Sequence, residues 1–81
     1  MNIRITYCGM WNYLPKAQVV ASEIRENFDL EVKYPSGINV VMQKGSYGVF
    51  DVQVNEQIIF SKHIKGRFPA KGEITRLLLN K

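Results

Sequence analysis

The only cysteine of the chain, Cys8, precedes its only tryptophan, Trp11, by three positions. A cysteine next to a helix start favours its thiolate form, because unpaired backbone N–H groups and the helix dipole stabilise negative charge there. The thiolate is the nucleophile of thiol–disulfide exchange, and a partner sulfur three residues later would resolve the mixed disulfide. Trp11 offers an indole at that position. The spacing therefore indicates thiol chemistry with half of a dithiol motif replaced.

A second interpretation of Cys8 stays open from the residue types alone. A lone cysteine is more often a small buried hydrophobic residue than a nucleophile. Lys16, near the predicted helix start, would add to the stabilisation of a thiolate, whereas Tyr13 either packs beside the thiol or belongs to the core. His63 has no second ligand in the sequence and is predicted to be exposed, so no metal site is expected.

A strand and a helix must position this turn. Alternating apolar residues over 3–7 predict a strand with one buried face. Pro15 fits the first turn of the following helix, Asn12 is the expected cap, and Glu23 falls on the predicted solvent side. The buried face of this helix is predicted from the spacing of Ala17, Val20, Ala21, Ile24 and Phe28.

The rest of the chain predicts further strands and a last helix. A second strand is expected over 30–34, and 38–42 either extends it or forms a short extra strand. A hairpin is expected over 50–62, followed by a basic loop from His63 to Phe68. Pro69 is expected to open a helix, weakened by Gly72, that buries Ile74, Leu77 and Leu78. The order β-α-β-β-β-α predicts a thioredoxin-like α/β fold with a mixed sheet covered by helices.

Composition limits the class of protein. At 81 residues the chain is expected to be a single domain, 1–81, and one cysteine excludes an intrachain disulfide framework. A reducing, cytoplasmic location is the simplest expectation from this cysteine usage. No apolar run approaches the ~18 residues of a membrane span, and no signal-peptide pattern precedes the first strand, so no membrane association is expected.

The net charge of +4 is unevenly distributed. Residues 1–60 carry five basic and six acidic side chains, whereas residues 61–81 carry six basic side chains against Glu73 alone. This basic last quarter could steer an anionic partner. Nucleic acid is not the expected partner, because the strands lack interleaved aromatic residues and no recognition motif is present.

Three stretches of the chain together resemble the selenoprotein W/T/H family, also called the Rdx family. Residues 7–17 (YCGMWNYLPKA) resemble its active-site segment, with a Cys-Gly-x-Sec or Cys-x-x-Cys motif followed by Tyr, Pro and a basic residue. Residues 48–62 resemble its Gly-x-Phe-Glu-Val hairpin with a returning strand that ends in Ser-Lys. Residues 66–69 resemble its Gly-x-Phe-Pro turn, so the matches span residues 3–79.

The resemblance implies a thioredoxin-like fold and a role in thiol redox, with glutathione or a thioredoxin-like redox protein as partner. Cys8 matches the first cysteine of the motif, and Trp11 falls on the position of selenocysteine or the second cysteine. Gly9, Met10, Tyr13 and Lys16 are then the supporting residues of the site. Two explanations of Trp11 stay open, a true tryptophan or a native selenocysteine encoded by UGA, and no other cofactor is expected.

A function of another class competes with thiol redox. In it the chain is a non-catalytic protein-binding module that uses the Trp11 loop and the basic segment 62–71. The two functions differ in whether partner binding depends on Cys8 or on Trp11.

Overall fold

The computed structural model describes residues 2–28 and 38–80. Its elements, in chain order, are β1 (Asn2–Cys8), α1 (Leu14–Phe28), β2 (Asn39–Gly45), β3 (Phe50–Val54), β4 (Gln57–Ser61), α2 (Lys62–Lys65) and α3 (Glu73–Leu79). The predicted order is confirmed, with one correction. The segment from His63 to Phe68 is not all loop, because the chain passes from β4 directly into the one-turn helix α2. The predicted strand 30–34 lies outside the described residues. Segment 38–42, expected to extend that strand or to form a short extra one, supplies the start of β2, which runs on to Gly45.

A four-stranded mixed sheet, in the order β2-β1-β3-β4, forms the centre of the fold. Strand β1 pairs parallel with β2 and antiparallel with β3, and β3 pairs antiparallel with β4. The parallel pair follows the crossover helix α1, as predicted for a strand–helix–strand unit. Asn55 and Glu56 close the hairpin with φ values of 54° and 120°. Because β1 is central, its carboxyl end at Cys8 lies between two neighbouring strands.

The core lies between one face of this sheet and the helices α1 and α3. Alternate residues of β1 and β3 are buried on this face. Four residues of the predicted stripe of α1 are buried against them, namely Ala17, Val20, Ala21 and Ile24. Ile74 and Leu78 of α3 are buried and Leu77 is half-buried, as predicted. Each fully buried large apolar side chain stabilises the fold by about 1.5–3 kcal/mol. None of the helices in the described ranges has the length and apolarity required to span a bilayer.

The start of α1 differs from the predicted one. The Tyr13 carbonyl accepts the first helical hydrogen bond, from the Ala17 N–H at 3.0 Å, so Tyr13 occupies the N-cap position. Asn12 is not the cap, because its φ of 59° places it in the left-handed region, inside the preceding turn. Pro15 lies in the first turn of the helix, as predicted, where its missing N–H costs nothing.

The start of α3 is also different, and α1 supplies its cap. The helix begins at Glu73 rather than at Pro69, and Gly72 precedes it with a φ of 78°, so this glycine does not weaken the helix interior. The Glu23 carboxylate accepts hydrogen bonds from the Gly72 N–H at 2.8 Å, the Thr75 N–H at 3.2 Å and the Thr75 hydroxyl at 2.8 Å. Glu23 of α1 therefore caps a different helix, α3. Its side chain is half-buried, whereas its position on α1 predicted a solvent-exposed side chain.

Replacing this cap should destabilise the whole domain. We expect Glu23→Ala to lower the free energy of unfolding by about 1–2 kcal/mol, because the orphan N–H groups of α3 lose their acceptor. Urea unfolding followed by circular dichroism measures the difference. Glu26→Ala is the matched control, since Glu26 is an exposed glutamate of the same helix. Equal losses in the two variants would show that the cap contributes nothing.

Candidate functional site

Backbone hydrogen bonds hold Cys8 at the end of β1. Its N–H donates to the Val49 carbonyl at 2.9 Å, and its carbonyl accepts from the Tyr13 N–H at 3.2 Å. In the parallel ladder Cys8 lies opposite Gly45 of β2. The cysteine is therefore bonded on one side to the segment that leads into β3 and on the other to the start of α1.

The Cys8 side chain is fully buried, with 0% of its surface exposed. By strand alternation it shares a face with Thr6, opposite the face of Tyr7 that packs under the helices. A Cβ on Gly45, the residue opposite Cys8, would lie 2.5 Å from Val49 Cγ1 and 2.9 Å from Thr6 Cγ2. Val49 and Thr6 thus fill the space over Gly45, the strand neighbour of Cys8. Because Cys8 is fully buried, a ligand reaches its thiol only after a local opening.

Trp11 lies in the turn between β1 and α1 and is 59% exposed. The turn is closed by the Asn12 N–H, which donates to the Gly9 carbonyl at 3.4 Å. One face of the indole rests on Gly48, where an added Cβ would come within 2.5 Å of Cζ3. Gly48 also has a φ of 71°, a conformation that favours glycine. Cys8 and Trp11 therefore contact two consecutive residues, Val49 and Gly48.

A row of edge-to-face aromatic rings joins Trp11 to the core. The ring centroids of Trp11 and Tyr13 lie 6.1 Å apart, those of Tyr13 and Phe68 4.7 Å, and those of Phe68 and Phe50 5.3 Å. Such pairs contribute about 0.5–1.5 kcal/mol each beyond their buried area. Tyr13 is thus half-buried between the exposed indole and the buried Phe50, and it belongs to both the turn and the core.

Two lysines approach the ring of Phe68. The Lys16 ammonium lies 5.3 Å from its centroid and the Lys62 ammonium 5.4 Å, and Lys62 is also 5.7 Å from the centroid of Tyr13. These distances are those of cation–π contacts. Lys16, expected beside the thiol, therefore places its charge on this aromatic ring.

An ion pair holds the segment that carries Phe68. The Arg67 guanidinium donates to both Glu73 carboxylate oxygens, at 2.7 and 3.0 Å, and to the Phe68 carbonyl at 3.1 Å. The Ala70 N–H donates to the same carboxylate at 2.8 Å. The hydrogen bonds from Arg67, and then the one from Ala70, hold the pKa of Glu73 at about 2. The carboxylate stays ionised, and the Phe68 backbone is fixed beside Tyr13.

One carboxylate oxygen lies on the sheet face of Cys8. Asp51 is opposite Thr6 in the β1–β3 ladder, so its side chain shares the face of Thr6 and Cys8. Its Oδ1 is buried and has no hydrogen-bond partner, a rare condition for a buried polar atom. By register Asp51 is the diagonal neighbour of Cys8, and the Cα atoms of such neighbours lie about 7–8 Å apart.

The predicted site residues only partly converge. Cys8, Gly9, Met10, Trp11 and Tyr13 lie together in one turn, with Met10 90% exposed and the Lys44 aliphatic chain beside Gly9. His63 is exposed on α2, as predicted. Within residues 2–28 and 38–80, no three His, Cys, Asp or Glu side chains are grouped to hold a metal ion. Gly48, Val49 and Asp51 were not predicted to contribute beside the turn, although they lie inside one of the family-like stretches. Lys62 was predicted only as part of the basic segment 62–71.

Comparison with known proteins places this geometry in a family. The model of the Rdx family matches residues 2–80. Proteins called migration and invasion enhancer 1 from Mus musculus and Bos taurus are each 28% identical over 74 residues, 91% of this chain. The chain spans 58% of the length of these relatives.

Solved structures share the fold. A crystal structure of a protein from Bordetella parapertussis has a TM-score of 0.84 at 23% identity, covering 98% of this chain and 94% of that one. A selenoprotein W-related protein from Vibrio cholerae has a TM-score of 0.84 at 20% identity, covering 98% and 92%. The thioredoxin-like α/β fold predicted from the sequence is thereby confirmed. With a family model that matches nearly every residue, the chain belongs to the Rdx family, the family of selenoprotein W-like proteins.

Proposed function

We propose that this chain is a selenoprotein W-like thiol redox protein in which Cys8 carries out thiol–disulfide exchange. Membership of the Rdx family supports a redox role. The observation that carries the proposal is the position of Cys8, at the carboxyl end of a central strand and bonded through its carbonyl to the residue that starts α1.

The proposed reaction has two exchange steps, and each of them forms one disulfide bond while it breaks another. The Cys8 thiolate attacks one sulfur of a disulfide, forms a mixed disulfide and releases the other sulfur as a thiolate. Because Trp11 has no sulfur, a second thiol must then attack the mixed disulfide and regenerate Cys8. Glutathione or a thioredoxin-like redox protein is the proposed source of that thiol. A reducing, cytoplasmic location fits this chemistry.

Two contacts of the site would control the first step. Cys8 is fully buried, so access to its thiol requires a local opening, and Val49 and Thr6, which pack over the neighbouring Gly45, are the proposed cover. Trp11 would cover the opening and contact the bound partner, since its indole lies on the adjacent Gly48.

Incubation with glutathione disulfide at neutral pH tests the proposal. Intact mass should show one glutathione adduct on the folded protein and none on Cys8→Ser. If the adduct appears only after unfolding in urea, Cys8 is a core side chain and the chain acts without thiol chemistry.

We propose further that tryptophan is the native residue at position 11. The support is that the indole is accommodated by Gly48, whose positive φ and lack of a side chain leave room for it. The competing explanation is a native selenocysteine, which would make the site a selenol–thiol pair. Reading codon 11 of the source gene distinguishes them: UGG supports tryptophan, and UGA followed by a recoding element overturns it.

A further inference from the structure

An exposed apolar surface lies on the two turns next to Cys8, the turn after β1 and the turn before β3. Met10 is 90% exposed, Trp11 59% and Tyr47 88%, although each is a large apolar or aromatic side chain. They come from two turns that the contact of Trp11 with Gly48 holds together. We call Met10, Trp11 and Tyr47 the tip surface. Exposed aromatic and methionine side chains grouped in this way are typical of the centre of protein interfaces.

Positive charge borders the tip surface. Lys16 and Lys62 lie against Phe68 and Tyr13, next to Trp11, and the aliphatic chain of Lys44 lies beside Gly9. In the described part of the chain none of these lysines has an acidic partner within 4.0 Å, because the one ion pair there joins Arg67 to Glu73. The border is therefore positive and uncompensated, although residues 1–60 as a whole are net acidic.

We propose that the tip surface and its lysine border dock a protein segment that carries acidic residues beside an apolar side chain. An apolar side chain of the segment packs against Trp11 and Met10, while its carboxylates pair with Lys16 and Lys62. The inference deepens the proposed function and rests on it in one respect, that the docked protein presents the disulfide to Cys8. Not every positive charge of the basic segment 62–71 is available to this partner, because Arg67 is already paired with Glu73 within the fold.

The contacts favour a protein over an anionic membrane. Trp11 is held on Gly48 and against Tyr13, and Lys16 and Lys62 are placed over aromatic rings. Groups held in defined positions match a partner that has fixed geometry, because pre-organised contacts lose little conformational entropy on binding. A fluid lipid surface has no fixed geometry that these positions could match, so holding the groups in place would not strengthen binding to it.

Binding of a labelled peptide to the Cys8→Ser protein tests the proposal without covalent chemistry. The probe is a short fluorescein-labelled peptide of alternating glutamate and phenylalanine, measured by fluorescence anisotropy. We expect saturable binding that Trp11→Ala weakens by at least about tenfold, as for an aromatic interface anchor. Lys16→Gln combined with Lys62→Gln should weaken it by about five- to tenfold.

The matched control removes two positive charges at positions outside the tip surface and its lysine border. Arg4→Gln combined with Arg25→Gln changes two exposed residues, at the far end of β1 and in the last turn of α1, and should leave affinity within about twofold. Equal loss in this control, or equal binding of a peptide with glutamine in place of glutamate, overturns the proposal. Trp11-dependent binding to phosphatidylserine vesicles, without peptide binding, overturns it in favour of a lipid surface.

The outcomes separate docking from catalysis. If the peptide fails to bind while the native protein still forms the glutathione adduct, the docking proposal is wrong and the proposed function stands. If the peptide binds with the expected dependence on Trp11 while no adduct forms on the folded protein, docking stands and thiol exchange is wrong.

Discussion

Trp11→Cys is expected to raise turnover in thiol–disulfide exchange on the order of a hundredfold at millimolar glutathione, because resolution of the mixed disulfide becomes intramolecular. Hydrogen bonds from Asn12 to Gly9 and from Tyr13 to Cys8 close the turn and keep positions 8 and 11 near each other. The Cys8 N–H also bonds the Val49 carbonyl, and the Trp11 indole lies against the preceding residue, Gly48. The new cysteine therefore has the position of a resolving thiol.

The measurement is the reduction of a protein disulfide under multiple turnover, together with the mass of the oxidised variant, which should show an internal disulfide. Met10→Cys is the matched control, since it adds a thiol one residue earlier, at a side chain that is 90% exposed. A similar gain in the control would mean that any added thiol suffices. The absence of gain with Trp11→Cys, despite a formed internal disulfide, would contradict the assigned role of position 11.

Val49→Ala is expected to increase the rate of glutathione adduct formation at Cys8 by about tenfold. The reason is that the reaction of a fully buried thiol is limited by opening of its cover, and a loss of about 1.4 kcal/mol from the closed state raises the open fraction tenfold. Val49, the residue before β3, places its Cγ1 over Gly45, the strand neighbour of Cys8, so truncation loosens the packing beside the buried cysteine. The rate is followed by intact mass at neutral pH.

Val40→Ala is the control for general destabilisation. Val40 is also half-buried, but it lies in β2 opposite Ile3, at the other end of β1 from Cys8. The Val40→Ala protein should unfold at a lower urea concentration than the native protein, and its rate of adduct formation should be nearly unchanged. Equal acceleration in both variants would show that Cys8 reacts through global unfolding, and Val49 would have no role as a cover.

The fold was largely predictable from local patterns. Alternation over β1 and β3, and the spacing of Ala17, Val20 and Ile24 in α1, identify faces that the structure buries. These predictions succeed because strand and helix periods depend on neighbours close in sequence. The helix starts were predicted less well, since Asn12 and Pro69 have suitable types for a cap and a first turn but lie outside the helices.

The candidate site was predictable only as a list of residues. Cys8 and Trp11 could be singled out by type and spacing, and the family could be identified from three short stretches. Their environments could not be predicted, because the atoms that surround them belong to residues distant in sequence. Glu23, for example, looked solvated on its helix and instead bonds Thr75, 52 positions away.

The sequence by itself determined the strand and helix periods, the family and the placement of a lone thiol before a helix. Only the tertiary structure decided that Cys8 is fully buried, that the indole of Trp11 rests on Gly48, and that Lys16 and Lys62 meet at Phe68. The physical reason is that periodicity is encoded locally, whereas burial and charge environment depend on which distant segments the sheet and helices bring into contact.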